Sequence, residues 1–536
     1  MEIGPAAQGG LGVKLVDSES MAAIDLRSQE EYGIPAMILM ENAGQRAVDA
    51  ARRALPAFRV LFSRGEKPRC ADRRPIQSIP VLAFLVGRGN NGGDALVMAR
   101  RCACDGVKGI SVVLAAGKPD AGTDPGRNLR MCVSLGIPVV DAAERAVEAR
   151  ELLSAADWVI DGMAGTGLRG ALREPLAGLA AAVNAGRALV LAVDVPSGVG
   201  DEFRPGFTAV RADITLAIGL PKRCLYLPHA RGLCGRIIVV PMGFPPELLS
   251  DEGIPGEMLE ETAYRRIMPP IPADTHKHRR GHVAVFAGSP GTTGAAWLSA
   301  TAAARSRAGM VTAFLDRETY PMLASKFSSV MARPWDGPDV SGSLGFEPDR
   351  FASFLIGPGW GTRGERRDWL ERLLDAGIPG VIDADGLTLL GLLAGKRGFG
   401  LGGRWVLTPH FGEFSRLSEE PVEEVQNDPA LHACTLSRRL DAVIVLKGAC
   451  TCVAEPSGRF WIYDGMIPEL ATGGSGDVLA GIIAGGIAGG MSPRDAALFG
   501  VSLHGSIARA AASSSRGWFL AEDLLPLISA ALAKEE

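Results

Sequence analysis

Two glycine-rich turns, one in each half of the 536-residue chain, contain the residues best suited to bind phosphate. The first spans residues 89–94 (GNNGGD), and the second spans residues 472–477 (TGGSGD). Each lies beside apolar sequence and opens onto a predicted helix, where free backbone N–H groups and the helix dipole bind anions. One turn offers paired Asn amides and the other a hydroxyl-rich loop. We therefore expect two nucleotide sites with different chemistry.

Three polar residues follow predicted strands in the first half of the chain. Asp161 ends one apolar run, and Asp194 and Ser197 follow the next. The carboxyl ends of parallel strands meet at one edge of a sheet, where doubly wound folds bind ligands. With Asn90 and Asn91, these residues would offer carbonyl and carboxylate oxygens that suit a hard cation. Either aspartate alone is better interpreted as a helix cap, and only their combination with the Asn pair favours a functional site.

A second glycine pattern in the same half allows a different interpretation. Residues 165–170 (GTGLRG) match GxGxxG after a predicted strand, and Asp194 lies near the distance expected of a ribose-binding acid. Alone, this pattern would indicate a dehydrogenase. However, Pro175 interrupts the following helix, and the turn would be about the third in the sheet rather than the first. Hydride transfer is therefore the weaker hypothesis.

The second turn is suited to phosphoryl transfer. Its backbone N–H groups can neutralise a phosphoryl group, and Asp477 stands at the start of the predicted helix, placed to take a proton from an attacking hydroxyl. The chain contains no GxxxxGK[ST] motif, which excludes a P-loop fold. The turn resembles the anion hole of ribokinase-like enzymes.

The composition is that of a folded protein with two domains. The chain is 47% hydrophobic and 22% charged, and its length exceeds that of one usual core. A net charge of −4 argues against nucleic acid as a partner. The apolar segment 478–493 is shorter than the ~18 residues of a membrane span, so we expect a buried helix and no membrane association. No secretory signal is visible, and the nine cysteines lack CxxC spacing, which predicts a cytoplasmic protein.

Apolar runs that alternate with helical segments predict α/β architecture in both halves. The predicted strands are residues 79–86, 109–115, 158–160, 188–193, 214–218 and 237–240, and then 282–287, 311–314, 354–356, 381–383, 405–408 and 442–446. A helical segment at residues 20–53, broken near 33–35, precedes the first sheet, and residues 63–78 are interpreted as a surface insertion. We predict a Rossmann-like doubly wound domain at residues 1–250 and a ribokinase-like α/β domain at residues 255–536.

The motifs of the first half resemble the NAD(P)HX epimerase family. They are ENAG at residues 41–44, the GNNGGD turn, Asp161 with GTG at 165–167, and DVPSG at 194–198. The resemblance implies that the hydrated nicotinamide cofactor lies against the two glycine loops beside a potassium ion, with Asp194 as the proton-transfer group. The implied substrate contacts are Asn90, Asn91, Gly92, Gly93, Asp94, Gly165, Thr166, Gly167, Leu168, Arg169, Gly170, Ala171 and Asp194, and the implied potassium ligands are Asn91, Asp161 and Ser197. Ala95 departs from the glycine that is usual after the turn.

The second half resembles the ADP-dependent NAD(P)HX dehydratase family over nearly all of residues 276–530. The motifs are residues 288–296 (GSPGTTGAA), 356–359 (IGPG), 383–387 (DADGL), 408–413 (TPHFGE) and 446–449 (LKGA). The resemblance implies Asp477 as the base, Mg²⁺ on the phosphates, and two contact sets. These are Lys447, Gly448, Ala449, Cys450, Thr451 and Gly476 for ADP or AMP, and Ala295, Gly359, His410 and Asp477 for the hydrated cofactor. Phe411 and Ile467 depart from the usual Pro and Asn.

Two questions about these residues stay open. Taken by itself, His410 is more often a buried, hydrogen-bonded histidine than a ligand contact. Asp383 and Asp385 alternate along a predicted extended strand end, so at most one of them would face the site.

Together, the resemblances imply a bifunctional repair enzyme. The first domain would interconvert the R and S epimers of NADHX and NADPHX, and the second would dehydrate the S epimer with ADP, giving NAD(P)H, AMP and phosphate. The family also implies a homo-oligomer. The alternatives are a ribokinase-type kinase of a small alcohol, and a first half that serves only as a non-catalytic nucleotide-binding domain. The choices between ADP and ATP, and between NADHX and NADPHX, stay open.

Overall fold

The structure is a computed structural model that describes residues 11–62, 80–250, 253–339, 343–394, 399–515 and 517–533. The chain forms two compact units, Met1–Ile254 and Pro255–Glu536. The surface insertion predicted at residues 63–78 lies outside the described residues, as does the start of the chain where no secretory signal is expected.

The first unit contains eight described strands and eight described α-helices. The strands are β1 Lys14–Leu15, β2 Leu82–Val86, β3 Ile110–Leu114, β4 Val139–Asp141, β5 Trp158–Gly162, β6 Leu189–Val193, β7 Ile214–Ile218 and β8 Arg236–Val240. The helices are α1 Ser18–Glu30, α2 Ala36–Ala54, α3 Pro56–Val60, α4 Asn90–Cys104, α5 Asp124–Ser134, α6 Ala146–Ala155, α7 Leu176–Ala185 and α8 Pro246–Leu249, with 3₁₀ turns at Arg223–Tyr226 and Arg231–Leu233.

The sheet of the first unit is parallel and doubly wound, as predicted. Its strand order is β4-β3-β2-β5-β6-β7-β8, and every neighbouring pair is parallel. Leu82, Phe84 and Val86 of β2 pack into one hydrophobic cluster, while Ala83 and Leu85 pack into another on the opposite face. The order reverses between β2 and β5, which makes the carboxyl ends of these two strands the expected ligand crevice.

One local feature of the first unit departs from the predicted elements, and another confirms them. The strand β4 is absent from the prediction because Val139–Asp141 is too short to stand out as an apolar run. The helical segment is broken as expected, because Gly33 adopts φ +67° and Pro35 precedes α2.

The second unit contains ten described strands. They are β9 Gly256–Met258, β10 His282–Phe286, β11 Met310–Leu315, β12 Met331–Pro334, β13 Ser353–Ile356, β14 Gly380–Ile382, β15 Trp405–Leu407, β16 Val443–Leu446, β17 Cys450–Ala454 and β18 Phe460–Asp464. The helices are α9 Ala263–Ile267, α10 Thr293–Arg305, α11 Tyr320–Ala324, α12 Gly364–Asp375, α13 Asp385–Ala394, α14 Phe411–Ser418, α15 Val422–Asn427, α16 Pro429–Leu440, α17 Ser475–Ala488, α18 Pro493–Ser515 and α19 Ala521–Ala533, with 3₁₀ turns at Pro348–Arg350 and Pro468–Leu470.

The sheet of the second unit is mixed. Its strands follow the order β9-β18-β17-β16-β15-β14-β13-β10-β11-β12. The pairs β16–β17 and β17–β18 are antiparallel, and the other pairs are parallel. The parallel strands confirm the predicted α/β class, and the antiparallel strands β17 and β18 are absent from the predicted elements.

The helix α17 confirms the buried helix expected in the apolar segment 478–493, because every residue from Val478 to Ala488 is buried. Two glycines let α17 approach α10 closely. A Cβ on Gly481 would lie 2.3 Å from the Ser299 carbonyl oxygen, and a Cβ on Gly485 would lie 2.4 Å from that of Ser306. Within the described ranges, no helix combines the length and apolar character needed to cross a membrane.

Candidate active sites

A cavity of about 560 Å³ lies where the first sheet reverses its strand order. Residues that follow β2, β5 and β6 line it, as the sheet-edge rule predicts. Of the predicted site residues, those lining the cavity are Asn90, Asn91, Gly92, Asp94, Gly165, Thr166, Gly167, Leu168 and Asp194.

Four of the predicted substrate contacts do not line this cavity. Gly93 is buried under α2, and a Cβ there would lie 2.5 Å from the Met40 sulfur. Arg169 and Gly170 both turn towards Glu202, which accepts a hydrogen bond of 3.0 Å from the Gly170 N–H. Ala171 is exposed. Only the first part of the second glycine loop, residues 165–168, therefore lines the cavity.

The dehydrogenase interpretation lacks its expected structural context. After β5, residues 165–173 form turns and bends, and the next helix begins only at Leu176. A GxGxxG pyrophosphate site needs a helix that starts within the glycine motif. Instead, α4 begins at Asn90, directly inside the GNNGGD turn.

Asp161 and Ser197 form a buried pair behind the glycine loop. The Ser197 hydroxyl donates to Oδ1 of Asp161 at 2.6 Å, and the Ser197 N–H donates to Oδ2 at 2.8 Å. The Ala164 N–H donates to the Ser197 hydroxyl at 2.8 Å, and the Met163 N–H donates to Oδ1 of Asp161 at 3.2 Å. Burial raises the pKa of Asp161 to about 6, although the hydrogen bonds from Ser197 oppose that shift.

The amide of Asn91 supports a cation at this place. Its side-chain oxygen and nitrogen are buried, and neither has a hydrogen-bond partner among the described residues. A Cβ on Gly165 would lie 3.2 Å from the Asn91 Cγ, so the glycine loop packs directly on this amide. A buried amide oxygen that no described residue donates to, packed on the loop that follows Asp161 and bonds Ser197, fits an oxygen-binding cation. The residues present therefore fit the potassium ion that the resemblance implies.

Asp194 lies in the cavity beside a buried lysine. The Lys222 ammonium donates to Oδ1 of Asp194 at 2.5 Å, and the Ile218 N–H donates to the same oxygen at 3.3 Å. Asp25 and Asp94 complete the charged group. Burial raises the pKa of Asp94 well above its usual value, Asp194 and Asp25 add to the effect, and Lys222 opposes it.

Ala95 leaves the first turn intact. A Cβ on residue 162 would lie 2.5 Å from the Ala95 Cβ, so the glycine at that position makes room for the alanine methyl group. The helix α4 nevertheless begins at Asn90. The departure is therefore compatible with the same turn geometry.

A cavity of about 520 Å³ lies in the second unit. It is bounded by the loop after β16, the segment after β18, and the first turn of α17. Of the predicted site residues, those lining it are His410, Lys447, Gly448, Ala449, Thr451 and Gly476. Cys450, Asp477, Ala295 and Gly359 do not line it, although Asp477 directly follows Gly476.

Asp477 belongs to a compact charged group at the start of α17. Lys447 donates to Oδ1 of Asp383 at 2.9 Å and lies 4.0 Å from Oε2 of Glu413. Burial raises the pKa of Asp477 to about 7; Asp383, and to a lesser degree Asp385 and Glu413, add to the effect, and Lys447 opposes it. A carboxyl group with that pKa can accept a proton near neutral pH.

Both aspartates of the DADGL motif contribute, which corrects the alternation argument. The strand β14 ends at Ile382, Ala384 adopts φ +47°, and α13 starts at Asp385. Asp383 binds Lys447, whereas Oδ2 of Asp385 accepts from the Gly361 N–H at 2.7 Å. The expectation that at most one would serve the site is wrong because the chain is not extended here.

Gly359 and Ala295 meet at the start of α10. The Thr292 hydroxyl donates to the Gly359 carbonyl at 2.7 Å, and the Ser289 hydroxyl donates to it at 3.0 Å. A Cβ on Gly359 would lie 3.0 Å from the Ala295 Cβ. Ala295 and Gly359, two of the predicted contacts to the hydrated cofactor, are therefore neighbours. The helix α10, which carries Ala295, packs on α17.

His410 is an exposed helix cap rather than a buried histidine. Its side chain is 57% exposed, and Nδ1 accepts from the Gly412 and Glu413 N–H groups at 3.0 and 3.3 Å. Because Nδ1 accepts, Nε2 is the nitrogen left to donate to a ligand. Phe411, which departs from the usual proline, begins α14 and packs against Gly448. A Cβ on Gly448 would lie 3.0 Å from the Phe411 ring.

Family models match both units of the chain. Residues 36–224 match the model described as YjeF-related protein N-terminus, and residues 283–529 match NAD(P)H-hydrate dehydratase. A bifunctional NAD(P)H-hydrate repair enzyme of Moorella thermoacetica is 34% identical over 532 residues, covering 96% of each chain. The chain belongs to the bifunctional NAD(P)H-hydrate repair enzyme family.

Two further members cover most of the chain, and one similar solved structure covers about half of it. The repair enzyme of Coxiella burnetii is 34% identical, covering 92% of this chain and 95% of its own. That of Salinibacter ruber is also 34% identical and covers 95% of this chain and 94% of its own. The ADP/ATP-dependent NAD(P)H-hydrate dehydratase of Bacillus subtilis, co-crystallised with ATP/Mg²⁺, has 28% identity and a TM-score of 0.46, covering 52% of this chain and 98% of that chain.

Several lining residues of this family member are missing from the predicted sites. In the first cavity they include Met21, Asp25, Met40 and Lys222, and in the second Tyr463, Met466, Ile467, His504 and Gly505. Lys222 could have been found by applying the sheet-edge rule to β7, since it lies four residues after that strand. Met466 and Ile467 lie in the loop after β18, and the others lie on helices or on β18 itself, where the rule for parallel strand ends does not apply.

Proposed function

We propose that the chain repairs hydrated nicotinamide cofactors in two steps. The first cavity interconverts R and S NAD(P)HX, and the second site dehydrates the S epimer with ADP, giving NAD(P)H, AMP and phosphate. The observation that carries this proposal is that each unit of this repair-family chain brings a carboxyl group to a glycine-rich helix start or beside one, Asp194 in the first unit and Asp477 in the second.

In the first step, Asp194 takes the proton of the hydroxyl group on the hydrated ring carbon, and the bond from that carbon to the ring nitrogen breaks as a carbonyl forms. Closure of the ring on the other face of the carbonyl, with return of the proton to oxygen, gives the other epimer. Oδ1 of Asp194 is occupied by Lys222 and the Ile218 N–H, so the other carboxylate oxygen is the one available to the substrate. The N–H groups at the start of α4 and the glycine loop at residues 165–168 hold the dinucleotide across the cavity.

Asn91, Asp161 and Ser197 would hold a potassium ion behind the glycine loop. When bound, the ion supplies positive charge beside a negatively charged dinucleotide. The chain's own part is to keep the loop closed on the cavity, which the hydrogen bond from the Ala164 N–H to the Ser197 hydroxyl provides.

In the second step, Asp477 takes the proton of the ring hydroxyl, and that oxygen attacks the β-phosphorus of ADP as the bond to AMP breaks. The phosphate then leaves the ring with its C–O electron pair, and loss of a ring proton restores the double bond of NAD(P)H. The N–H groups at the start of α17 and the Lys447 ammonium neutralise the phosphoryl charge. A Cβ on Gly476 would lie only 3.3 Å from the Lys447 Nζ, which places the two together.

Magnesium fits as part of the nucleotide complex rather than as a resident ion. Within the described part of the chain, no three His, Cys, Asp or Glu side chains form a metal-binding group. Mg²⁺ commonly binds through substrate phosphates and waters with few protein ligands, and it would supply charge neutralisation there. The homo-oligomer and the cytoplasmic location stay predictions.

The test follows the recovery of absorbance at 340 nm from purified R and S epimers, each with ADP or ATP. We expect the wild type to restore both epimers, Asp194→Asn to restore only the S epimer, and Asp477→Asn to restore neither. The exposed Asp349→Asn serves as the control and should match the wild type. A persistent phosphorylated product would instead support a ribokinase-type kinase, and an unaffected R epimer in Asp194→Asn would indicate a non-catalytic first unit.

A further inference from the structure

Lys222 is a buried cation that no predicted role includes. Its side chain is 1% exposed, and it lines the first cavity. The ammonium donates to Oδ1 of Asp194 and to the Ile218 carbonyl. Lysine is almost never fully buried unless it is paired, so this placement needs an explanation beyond packing.

The hydrogen bonds on Asp194 distinguish its two oxygens. Oδ1 accepts from both the Lys222 ammonium at 2.5 Å and the Ile218 N–H at 3.3 Å. Oδ2 accepts no hydrogen bond from any residue that the structure describes. The Asp194 backbone adopts φ +69°, and its N–H donates to the Leu216 carbonyl at 2.8 Å, which fixes the direction of the side chain.

The backbone around Lys222 is held from both sides by one residue. The Val16 N–H donates to the Pro221 carbonyl at 3.1 Å, and the Arg223 N–H donates to the Val16 carbonyl at 2.7 Å. Val16 and Lys222 thus form an isolated parallel bridge. The ammonium is therefore fixed in place before any ligand binds.

Among the described residues, the titratable groups that face Asp194 and Lys222 include two carboxyl groups and the buried thiol of Cys224, whose pKa burial raises well above its usual value. Asp25 comes from α1 and Asp94 from α4, and each interacts electrostatically with both Asp194 and Lys222. Without the lysine, three carboxyl groups would face one another across a half-buried cavity. Repulsion among the three carboxylates would then disfavour the fully ionised group.

We propose that Lys222 is a positioning residue for the epimerase step. Its ammonium holds Oδ1 of Asp194, so that Oδ2 is presented to the hydroxyl group of the hydrated ring carbon. This inference rests on the function proposed for the first cavity, and it adds the residue that sets the orientation of the base.

The test compares the full-length Lys222→Met and Lys222→Arg variants with the wild type and with Lys118→Met, an exposed lysine in the same unit. Epimerisation of R-NADHX is measured from pH 5 to pH 9 by separating the epimers, and dehydration of the S epimer is measured in parallel. We expect Lys222→Met to lose at least about tenfold in the rate constant for the R epimer, within the range seen for proton-transfer catalysis. The acidic limb of its pH–rate profile for the R epimer should move to higher pH, while the rate of dehydration of the S epimer stays unchanged.

The Lys222→Arg variant keeps the charge and should keep the acidic limb at the wild-type pH even if its rate falls. The proposal is overturned if Lys222→Met slows the reaction without moving the acidic limb, if it has no effect, or if the limb moves equally in both variants. Should Lys222→Met not fold, Lys222→Gln provides the neutral side chain for the same comparison. A wild type that does not epimerise at all would contradict the proposed function itself, which separates the two failures.

Discussion

The Lys447 ammonium lies 2.9 Å from Oδ1 of Asp383, a carboxyl group that is only 2% exposed. This pair controls the electrostatics of the neighbouring base. Asp383 raises the pKa of Asp477 after the larger effect of burial, and Lys447 opposes it. The result is a carboxyl group that titrates near neutral pH, at about 7.

This pair predicts how dehydration depends on pH. Because Asp477 must be ionised to act as a base, kcat/KM for the S epimer should fall about tenfold per pH unit below its pKa of about 7. Asp383→Asn removes a charge that raises this pKa, so its acidic limb should move to lower pH. Absorbance at 340 nm with saturating ADP, from pH 5 to pH 9, measures both. An unchanged limb in Asp383→Asn would contradict the assignment of Asp477 as the titrating base.

Asp477→Asn should lose activity and gain stability at the same time. We expect dehydration of the S epimer to fall by about 10²–10⁴-fold, the usual contribution of a positioned base. The pKa of Asp477 is raised in the folded state, so its ionisation costs folding stability as the pH rises from about 4 to about 7. The variant should therefore unfold with a free energy higher by on the order of 1–4 kcal/mol at pH 8, and by almost nothing at pH 4.

Denaturant unfolding at the two pH values checks the stability of Asp477→Asn. The exposed Asp349→Asn is the control and should leave both activity and stability unchanged. Equal stability of Asp477→Asn and wild type at pH 8 would show that this carboxyl group is not penalised by burial.

The unpartnered amide of Asn91 predicts stabilisation by potassium. KCl should raise the melting temperature of the wild type relative to choline chloride at equal ionic strength, because an ion that binds only the folded state stabilises it. Asn91→Ala should abolish this difference and should lower the epimerisation rate. Asn427→Ala, at the end of α15 in the second unit, is the control and should keep the potassium response. A response that survives in Asn91→Ala would place the ion elsewhere.

Gly481 should be intolerant of alanine despite its position in a helix. Alanine has the better helix propensity by about 1 kcal/mol, but its Cβ would lie 2.3 Å from the Ser299 carbonyl oxygen and 2.8 Å from the Ala302 Cβ. We expect Gly481→Ala to destabilise the chain by about 1–3 kcal/mol, as for an overpacked core. Gly364→Ala, where no atom lies within 4 Å, should be neutral or stabilising. Thermal unfolding of the two variants decides between propensity and packing.

The sequence was most informative where strands end in parallel sheets. Apolar runs located six strands of each sheet to within a few residues, and the sheet-edge rule correctly predicted that Asn91 and Asp194 lie in one cavity. The family that these motifs resemble is confirmed by full-length relatives. Both results depend on apolar runs and motifs of a few neighbouring residues, which can be read from one sequence alone.

Long-range partners were harder to predict. Nothing in the local sequence shows that Lys222 would reach Asp194 or that Val16 would hold its backbone, because those contacts depend on the packing of α1 and β7. Likewise, the exposed capping role of His410 depends on where α14 begins. The alternation argument for Asp383 and Asp385 failed because one left-handed residue, Ala384, ends the extended chain.

The close contact between α17 and α10 has a consequence for how this enzyme can vary. The first turn of α17 carries Asp477, and the first turn of α10 carries Ala295 beside Gly359. In the proposed mechanism, the separation between the phosphoryl donor and the acceptor is therefore set by two closely packed helices rather than by a loop. Gly485 contacts none of the proposed ligand-binding residues, but a bulkier side chain there would push the two helices apart. The variant would therefore show a lower rate of dehydration although no binding residue has changed.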